Sequence, residues 1–270
     1  MRMYSKNRTA YTVLIGICII GFWLFENFYT PNTYSDQPSS NIASELPNKY
    51  LPSSSKGVIV HHNHFSLSYD EAYEQAEWVA YVLKKEHLTY DDRKRPYFIE
   101  DPFIATKSAD WRNYKGSGYD RGHLVPAGDR RFTLQAYNET FYTSNISPQD
   151  REFNAGLWNR LEMQTRKWAK RYNVIYVFTG GILTDGLAKI GDEDVAVPNY
   201  FYKILAKENK GNLEVLGFLM EGVEQQKPLQ SFLVSVNRIE ELTGIDFFYQ
   251  FEKEKQRSFE SDVKSEHWKF

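Results

Sequence analysis

One short stretch of this sequence combines side chains suited to acid–base chemistry and to anion binding. Asp120, Arg121, Gly122 and His123 follow one another directly, and Pro126 interrupts regular structure soon afterwards. Histidine titrates near neutrality, so it can accept or release a proton under mild conditions. Arginine carries a permanent charge and a planar fork of donors that suits a phosphate. The stretch therefore predicts a proton acceptor next to an anion-binding group.

A second set of polar side chains follows on a predicted helix. This helix should begin near Asp150 or Phe153 and end at about Arg171, with its apolar residues facing the core. The flank beside that face carries residues spaced by four, namely Asn154, Trp158, Glu162 and Arg166. Such a flank is usually a solvated surface, and an asparagine there is usually a helix cap. Its amide and carboxylate oxygens are, however, ligands that magnesium accepts.

Taken together, the two sets permit phosphodiester cleavage. A histidine can deprotonate water, while a metal and arginines stabilise the charge that grows on the phosphate oxygens. Other chemistries are disfavoured, because the sequence has no nucleotide-binding glycine loop and no nucleophile elbow. Its one cysteine, Cys18, lies in an apolar N-terminal run, which excludes thiol catalysis and intramolecular disulfides. A formal net charge of −2 excludes a uniformly basic surface but permits a local basic cleft.

Two further groups of basic residues leave alternatives open. The run from Arg93 to Arg95 precedes an aromatic pair and can reach a phosphate, or it can be a solvated charge run. The three histidines His61, His62 and His64 can suggest a metal cluster. We favour histidines at a strand end, because no cysteine or acidic residue stands nearby at ligand spacing.

The chain divides into four predicted segments. Residues 1–29 combine a positive leader with the uncharged run Thr9 to Phe25, which predicts a signal-anchor helix or a cleaved signal peptide. We expect an uncleaved membrane anchor with the remainder outside the cytoplasm, periplasmic or extracellular, or secreted if the segment is cleaved. A flexible linker is expected over 30–56, a folded domain over 57–250, and a charged C-terminal tail over 251–270.

The order of predicted elements indicates an α+β fold. Short strands come first, the helix follows, and more strands complete the chain without regular alternation of strand and helix. This order favours a mainly antiparallel central sheet flanked by helices. The segment from Asp70 to Lys85 is compatible with an amphipathic helix or with a buried strand.

The ordered motifs resemble those of a known family. Asp120 to His123 is followed by Ser144 to Gln149, then by Asn154-x-Gly156-x-Trp158 and by Leu161-Glu162. This series resembles the DNA/RNA non-specific endonuclease family, whose members include endonuclease G-like nucleases. The likeness extends over about 57–248. It implies the ββα-metal, or His-Me finger, fold and magnesium-dependent hydrolysis of DNA and RNA.

The resemblance also implies roles for individual residues around a metal. His123 matches the general base that activates water. Asn154 matches the direct ligand of Mg²⁺, for which Mn²⁺ can substitute, and Glu162 matches the carboxylate that holds metal-bound water. Asn145 and Gln149 match amides that support the site.

The remaining implied roles concern charge around the phosphate. Arg121 and Arg166 match arginines near the phosphate, and Asp120 would orient its neighbours. Arg95 is the favoured match for an upstream arginine of the family, with Arg93 as a competing alignment. The sequence leaves two rival functions open: a nuclease or phosphodiesterase of narrower substrate range, and a non-catalytic nucleic-acid-binding membrane protein. The sequence leaves the oligomeric state open, as monomer or homodimer.

Overall fold

The computed structural model describes residues 3–29, 34 and 45–270. The chain separates into two compact units, Met1–Asn32 and Thr33–Phe270. The first unit contains one helix, α1 (Met3–Phe28). Within α1, Arg8–Phe25 is long and apolar enough to cross a membrane, and none of its residues is buried.

The second unit is a mixed α/β domain. Its strands are β1 (Val58–His61), β2 (Ser66–Asp70), β3 (Gln75–Lys84), β4 (Asp120–His123), β5 (Ile146–Gln149), β6 (Val174–Gly181), β7 (Ala188–Ile190), β8 (Val195–Val197), β9 (Tyr200–Asn209), β10 (Asn212–Glu221) and β11 (Leu233–Val234). Its helices are α2 (Leu134–Glu139), α3 (Arg151–Phe153), α4 (Asn159–Tyr172), α5 (Val236–Thr243) and α6 (Lys253–Glu260).

A seven-stranded sheet in the order β1-β2-β3-β6-β9-β10-β11 forms the centre of this unit. All its neighbouring strands are antiparallel. The mainly antiparallel sheet predicted from the sequence is therefore confirmed.

The burial of β3 on both of its faces explains why the segment from Asp70 to Lys85 was compatible with either a helix or a strand. Val79 and Tyr81 pack in the core on one face of the sheet, while Trp78 and Ala80 pack in the core on the other face. A strand buried on both faces is apolar throughout and loses the alternation that identifies a half-buried strand. The alternative of an amphipathic helix over 70–85 was wrong.

The predicted long helix contains an interruption. Asp150 caps it through a hydrogen bond of 2.9 Å from the Phe153 amide, and the helix continues to Tyr172. Between α3 and α4, however, Asn154–Trp158 forms a turn of π-helix, which we call the π turn. Because a π turn carries more residues than an α-helical turn, Asn154 does not share one evenly spaced flank with Glu162. Trp158 of the predicted flank is fully buried.

The structure corrects both predicted ends of the folded domain. The linker residues 30–33 and 35–44 lie outside the described residues, but Leu46 and Tyr50 are buried in the core, so the domain begins before residue 57. At the other end, the predicted tail contains α6, and Trp268 packs edge-on against Trp168 at 5.1 Å between ring centroids. The aromatic residues of this segment fold it onto the domain despite its charge.

Candidate active site

The motif Asp120 to His123 forms one strand of a separate hairpin. Strand β4 pairs antiparallel with β5, so that Asp120 lies opposite Gln149 and His123 opposite Ile146. The two strands approach closely because Gly122 has no side chain. A Cβ at this position would collide with the fully buried side chain of Gln149. The hairpin leads directly into α3 and the π turn, so strand, strand and helix follow one another.

Asn145 fixes the chain just after the histidine. Its Oδ1 accepts a hydrogen bond of 2.8 Å from the Val125 amide, while its Nδ2 donates to the carbonyls of Val125 and Thr140. The Asn145 carbonyl also accepts from the amide of Leu124. A fully buried amide with this many partners is rigid. Asn145 therefore holds the loop that follows His123, in keeping with a supporting position.

The imidazole of His123 lies between aromatic rings. Its ring centroid is 5.0 Å from that of Phe141 and 5.6 Å from that of Phe98. Its Nε2 is buried and has no hydrogen-bond partner among the described residues. Burial, and then the charge of Arg95, lowers the pKa of His123 to about 3. A lowered pKa favours the neutral ring, which is the form of the imidazole that can accept a proton.

Two guanidinium groups lie near the ring of Phe98, which is next to His123. Arg121 lies 4.8 Å and Arg95 lies 5.3 Å from the centroid of Phe98. Neither has a carboxylate within 4 Å among the described residues. Burial, and then the charge of Arg95, lowers the pKa of Arg121. Two positive charges at one place, neither in an ion pair among the described residues, favour the binding of an anion there.

Arg93, the competing upstream arginine, lies elsewhere. Its side chain donates to the carbonyl of Arg131 at 3.0 Å and pairs with Asp91 at 2.9 Å. These contacts anchor a loop. The structure thus brings Arg95, and not Arg93, to His123.

The first and last residues of the π turn both form hydrogen bonds to β4, the motif strand. The Nδ2 of Asn154 donates to Asp120 at 3.2 Å, and the indole of Trp158 donates to the carbonyl of His123 at 3.4 Å. Because the amide nitrogen of Asn154 points to Asp120, its oxygen is directed elsewhere and can act as a ligand. Asp120 therefore orients the predicted metal ligand.

Glu162 lies one helical turn beyond the π turn, in a setting that disfavours its charge. Its side chain is only 14% exposed, and burial raises its pKa to about 7, although the charges of Lys203 and Arg166 act in the opposite direction. A carboxylate in this state gains stability from a nearby cation. The oxygen donors of Asn154 and Glu162 are both hard ligands of the kind that Mg²⁺ prefers. The residues present therefore fit a magnesium site.

Arg166 has carboxylate partners within the protein. It pairs with Asp129 at 2.8 Å and lies 3.8 Å from Glu162. Asp129 also accepts a hydrogen bond of 2.9 Å from Tyr81. Arg166 thus stabilises the carboxylates of Asp129 and Glu162. Arg95 and Arg121, in contrast, have no carboxylate partner among the described residues.

Sequence reasoning assigned no role to Lys203. This residue is 1% exposed, donates to Thr179 at 3.2 Å, and lies 4.6 Å from the ring of Trp158. Its charge lowers the pKa of Glu162, while burial lowers its own pKa to about 8. A lysine in the apolar run of β9 was a signal for an internal partner, because buried lysines are rarely unpaired.

The three upstream histidines do not converge on one point. His61 bonds to Ser66 at 2.8 Å, His62 lies 2.9 Å from Asp101, and His64 bonds to Glu45 at 3.2 Å. Each ring serves a separate local contact, as the favoured interpretation expected.

Comparison with known proteins decides the family. The model of the DNA/RNA non-specific endonuclease family matches residues 42–254. The chain belongs to this family. The resemblance inferred from the motifs is thereby confirmed, and the family is one of phosphodiester-cleaving enzymes.

Several relatives are similar to this chain over most of the domain. Human mitochondrial nuclease EXOG is 40% identical over 69% of the chain and 55% of its own length. Human mitochondrial Endonuclease G is 36% identical over 68% of the chain and 67% of its own length. Nuclease C1 of Cunninghamella echinulata var. echinulata is 34% identical over 68% of the chain and 80% of its own length. The chain spans 55–64% of the length of the EXOG relatives it matches.

A solved structure shows the same fold. The EndoG chain in the crystal structure of an EndoG/EndoGI complex, described as showing the mechanism of EndoG inhibition, matches with a TM-score of 0.68. The two sequences are 31% identical, and the match covers 74% of this chain and 89% of that one. The mixed α/β architecture is therefore shared.

The relatives correct the expected location. EXOG and Endonuclease G are named as mitochondrial proteins, which contradicts the periplasmic or extracellular location expected from the N-terminal segment. That expectation was wrong. A positive leader before an apolar run sets orientation in a membrane, but it does not specify which membrane.

Proposed function

We propose that this chain is a metal-dependent, non-specific endonuclease that hydrolyses phosphodiester bonds in DNA and RNA. The observation that carries the proposal is the position of His123 beside Arg95 and Arg121, which have no carboxylate partner among the described residues, with Asn154 and Glu162 on the helix after the hairpin. Family membership and the named nuclease relatives support the same activity. We assign the domain to the ββα-metal fold on the succession of β4, β5 and α3.

The mechanism follows from the position of each side chain. Arg95 and Arg121 bind the scissile phosphate, and the neutral imidazole of His123 accepts a proton from the attacking water. Asp120 holds the amide of Asn154, and Asn145 keeps the loop after His123 in place. Mg²⁺ held by Asn154 and by Glu162, through its waters, would supply Lewis-acid stabilisation of negative charge on the phosphate oxygens, and Mn²⁺ can substitute.

Cleavage by the full chain tests this proposal. Supercoiled plasmid and single-stranded RNA are each incubated with the protein in Mg²⁺, and separately in EDTA. We expect both to be cut only with metal. His123→Ala should lower the rate by roughly 10²–10⁴-fold. His61→Ala is the matched control and should keep activity. Uncut substrates with wild-type protein, or equal cleavage by His123→Ala, would refute the proposal.

We also propose that α1 anchors the protein in a membrane. The apolar run within Arg8–Phe25 is fully unburied, which leaves it available to lipid. A helix of 18 residues is roughly 27 Å long at ~1.5 Å per residue, close to the thickness of a bilayer core. This proposal concerns attachment only and is tested separately from catalysis.

A further inference from the structure

One backbone amide of the π turn bonds to a side chain from a distant segment. In the middle of the turn, the Leu157 N–H donates a hydrogen bond of 2.6 Å to Oε2 of Glu224. Glu224 lies 67 residues later, in the segment that follows β10. A buried backbone N–H needs a hydrogen-bond acceptor, because leaving it unpaired costs free energy. Glu224 supplies that acceptor.

The fit between Glu224 and the π turn requires a glycine. A Cβ at Gly156 would collide with the carboxylate of Glu224. The glycine of the Asn154-x-Gly156-x-Trp158 motif therefore makes room for an acidic side chain from a distant segment. Only a residue without a side chain permits this contact while the turn keeps its shape.

The second oxygen of Glu224 is also engaged. Its Oε1 accepts from Gln226 at 2.9 Å and lies 3.4 Å from Arg160. Arg160 in turn donates to the carbonyls of Gln225 at 2.6 Å and Lys227 at 3.1 Å. The carboxylate is thus held from both sides, and its side chain is 16% exposed. A charge-assisted acceptor fixed in this way is stronger than a neutral one.

The shape of the π turn determines where Asn154 lies. Each residue in an α-helix advances the helix by about 100°, so loss of the extra residue of a π turn would rotate Asn154 relative to α4 by about that angle. Asn154 would then leave Asp120, and Trp158 would lose the carbonyl of His123. Preserving the π turn therefore preserves both connections between the helix and the motif strand.

We propose that Glu224 is a positioning residue that holds the π turn and thereby directs the amide oxygen of Asn154 toward the metal. This inference rests on the proposed metal-dependent function. Glu224 contacts neither substrate nor metal in this role. Glu224 acts by accepting the hydrogen bond from the Leu157 amide. Loss of Glu224 should therefore weaken metal binding more than it weakens the fold.

Metal binding by full-length variants tests this role directly. Mn²⁺ affinity is measured by calorimetry or electron paramagnetic resonance for wild type, Glu224→Ala and Glu224→Gln. We expect Glu224→Ala to bind Mn²⁺ roughly 10–100-fold more weakly, as is typical when a residue behind a ligand is lost. Glu224→Gln keeps a neutral acceptor and should bind with intermediate affinity. Glu221→Gln, an exposed acid just before the same segment, is the matched control and should bind normally.

Two further measurements separate positioning from general stability. Hydrogen exchange at the Leu157 amide should be slow in wild type and faster in Glu224→Ala, while exchange in the strands of the central sheet stays unchanged. Gly156→Ala keeps Glu224 but displaces its carboxylate, so it should reproduce the loss of Mn²⁺ affinity even if Glu224→Ala does not fold.

Opposite results would overturn the inference. If wild type binds Mn²⁺ and cleaves DNA, and Glu224→Ala and Gly156→Ala match Glu221→Gln in affinity, then Glu224 does not position the ligand. If wild type itself neither binds Mn²⁺ nor cleaves, the proposed function fails first, and the inference fails with it. Measurements on the wild-type protein therefore distinguish failure of the proposed function from failure of the role inferred for Glu224.

Discussion

At the scale of single residues, the protonation of His123 depends on its surroundings. Burial and the charge of Arg95 place its pKa at about 3, below the ordinary histidine value. Because the folded pKa is lower than the unfolded one, this group's contribution to stability falls as pH drops from about 6.5 toward about 3. Arg95→Gln should therefore raise the pKa of His123, and Arg93→Gln should not. NMR titration of the imidazole measures both shifts. Titration of wild-type His123 at or above pH 6.5 would contradict the assignment.

A second residue with a displaced pKa lies away from the site. Carboxylate oxygens of Glu240, Asp246 and Glu260 lie within 4.8 Å of one another, and Oε1 of Glu260 is buried without a hydrogen-bond partner among the described residues. Burial, and then the charges of Glu240 and Asp246, raises the pKa of Glu260 to about 8. Folding therefore binds an extra proton between about pH 4.5 and 8, and the free energy of unfolding should fall as pH rises through that range.

Neutralising Glu260 tests this pH dependence. Glu260→Gln should raise the free energy of unfolding by roughly 2–4 kcal/mol at pH 9 and have little effect at pH 4.5. Glu254→Gln, on the exposed face of the same helix, is the control and should change stability equally little at both pH values. Urea unfolding at the two pH values measures the difference. A stabilisation by Glu260→Gln that is the same at both pH values would show that its charge is not responsible.

At the scale of elements, the hairpin β4–β5 depends on one complementary pair. Gly122 leaves space that the buried side chain of Gln149 fills. Gly122→Ala should destabilise the protein by ~1–3 kcal/mol through overpacking and should displace His123 in the next position of the strand. Gln149→Ala in the same chain should recover most of that loss because it removes the colliding atoms. Thermal unfolding of the two single variants and the double variant gives the coupling free energy between positions 122 and 149. If the losses of stability in the single variants simply add in the double variant, the prediction is contradicted.

The sequence predicts the two ends of the helix that carries the site, but it does not predict the π turn within that helix. Asp150 is a recognisable cap, and the apolar spacing toward Tyr172 is regular, so start and end are readable locally. The π turn has no local signature, because the acceptor that satisfies Leu157 lies 67 residues away in Glu224. Similarly, the partners of Lys203 are set by the order of strands in the sheet. Contacts of this kind arise from the tertiary fold and are invisible to periodicity.

At the scale of the whole molecule, domain ends were harder to predict than motifs. Composition marked 251–270 as a charged tail, yet its few aromatic residues decide its position: Phe259 is buried against Phe248, and Trp268 against Trp168. A small number of large side chains can outweigh many exposed charges, since each buries on the order of 150–250 Å². The motif around His123 was more secure, because its order and spacing restrict chemistry as well as shape.

The division into two units predicts that attachment and catalysis can be separated. The full chain should sediment with phospholipid vesicles, while residues 33–270, the second unit alone, should remain in the supernatant with kcat/KM within about twofold of the full chain. Ile17→Asp places a charge near the middle of the apolar run, at a cost of about 2.5–3.5 kcal/mol, and should shift the full chain toward the soluble fraction. Ile17→Leu is the matched control and should sediment normally. Release of the wild-type chain by high salt alone would show that charge, and not insertion of α1, holds it to the vesicles.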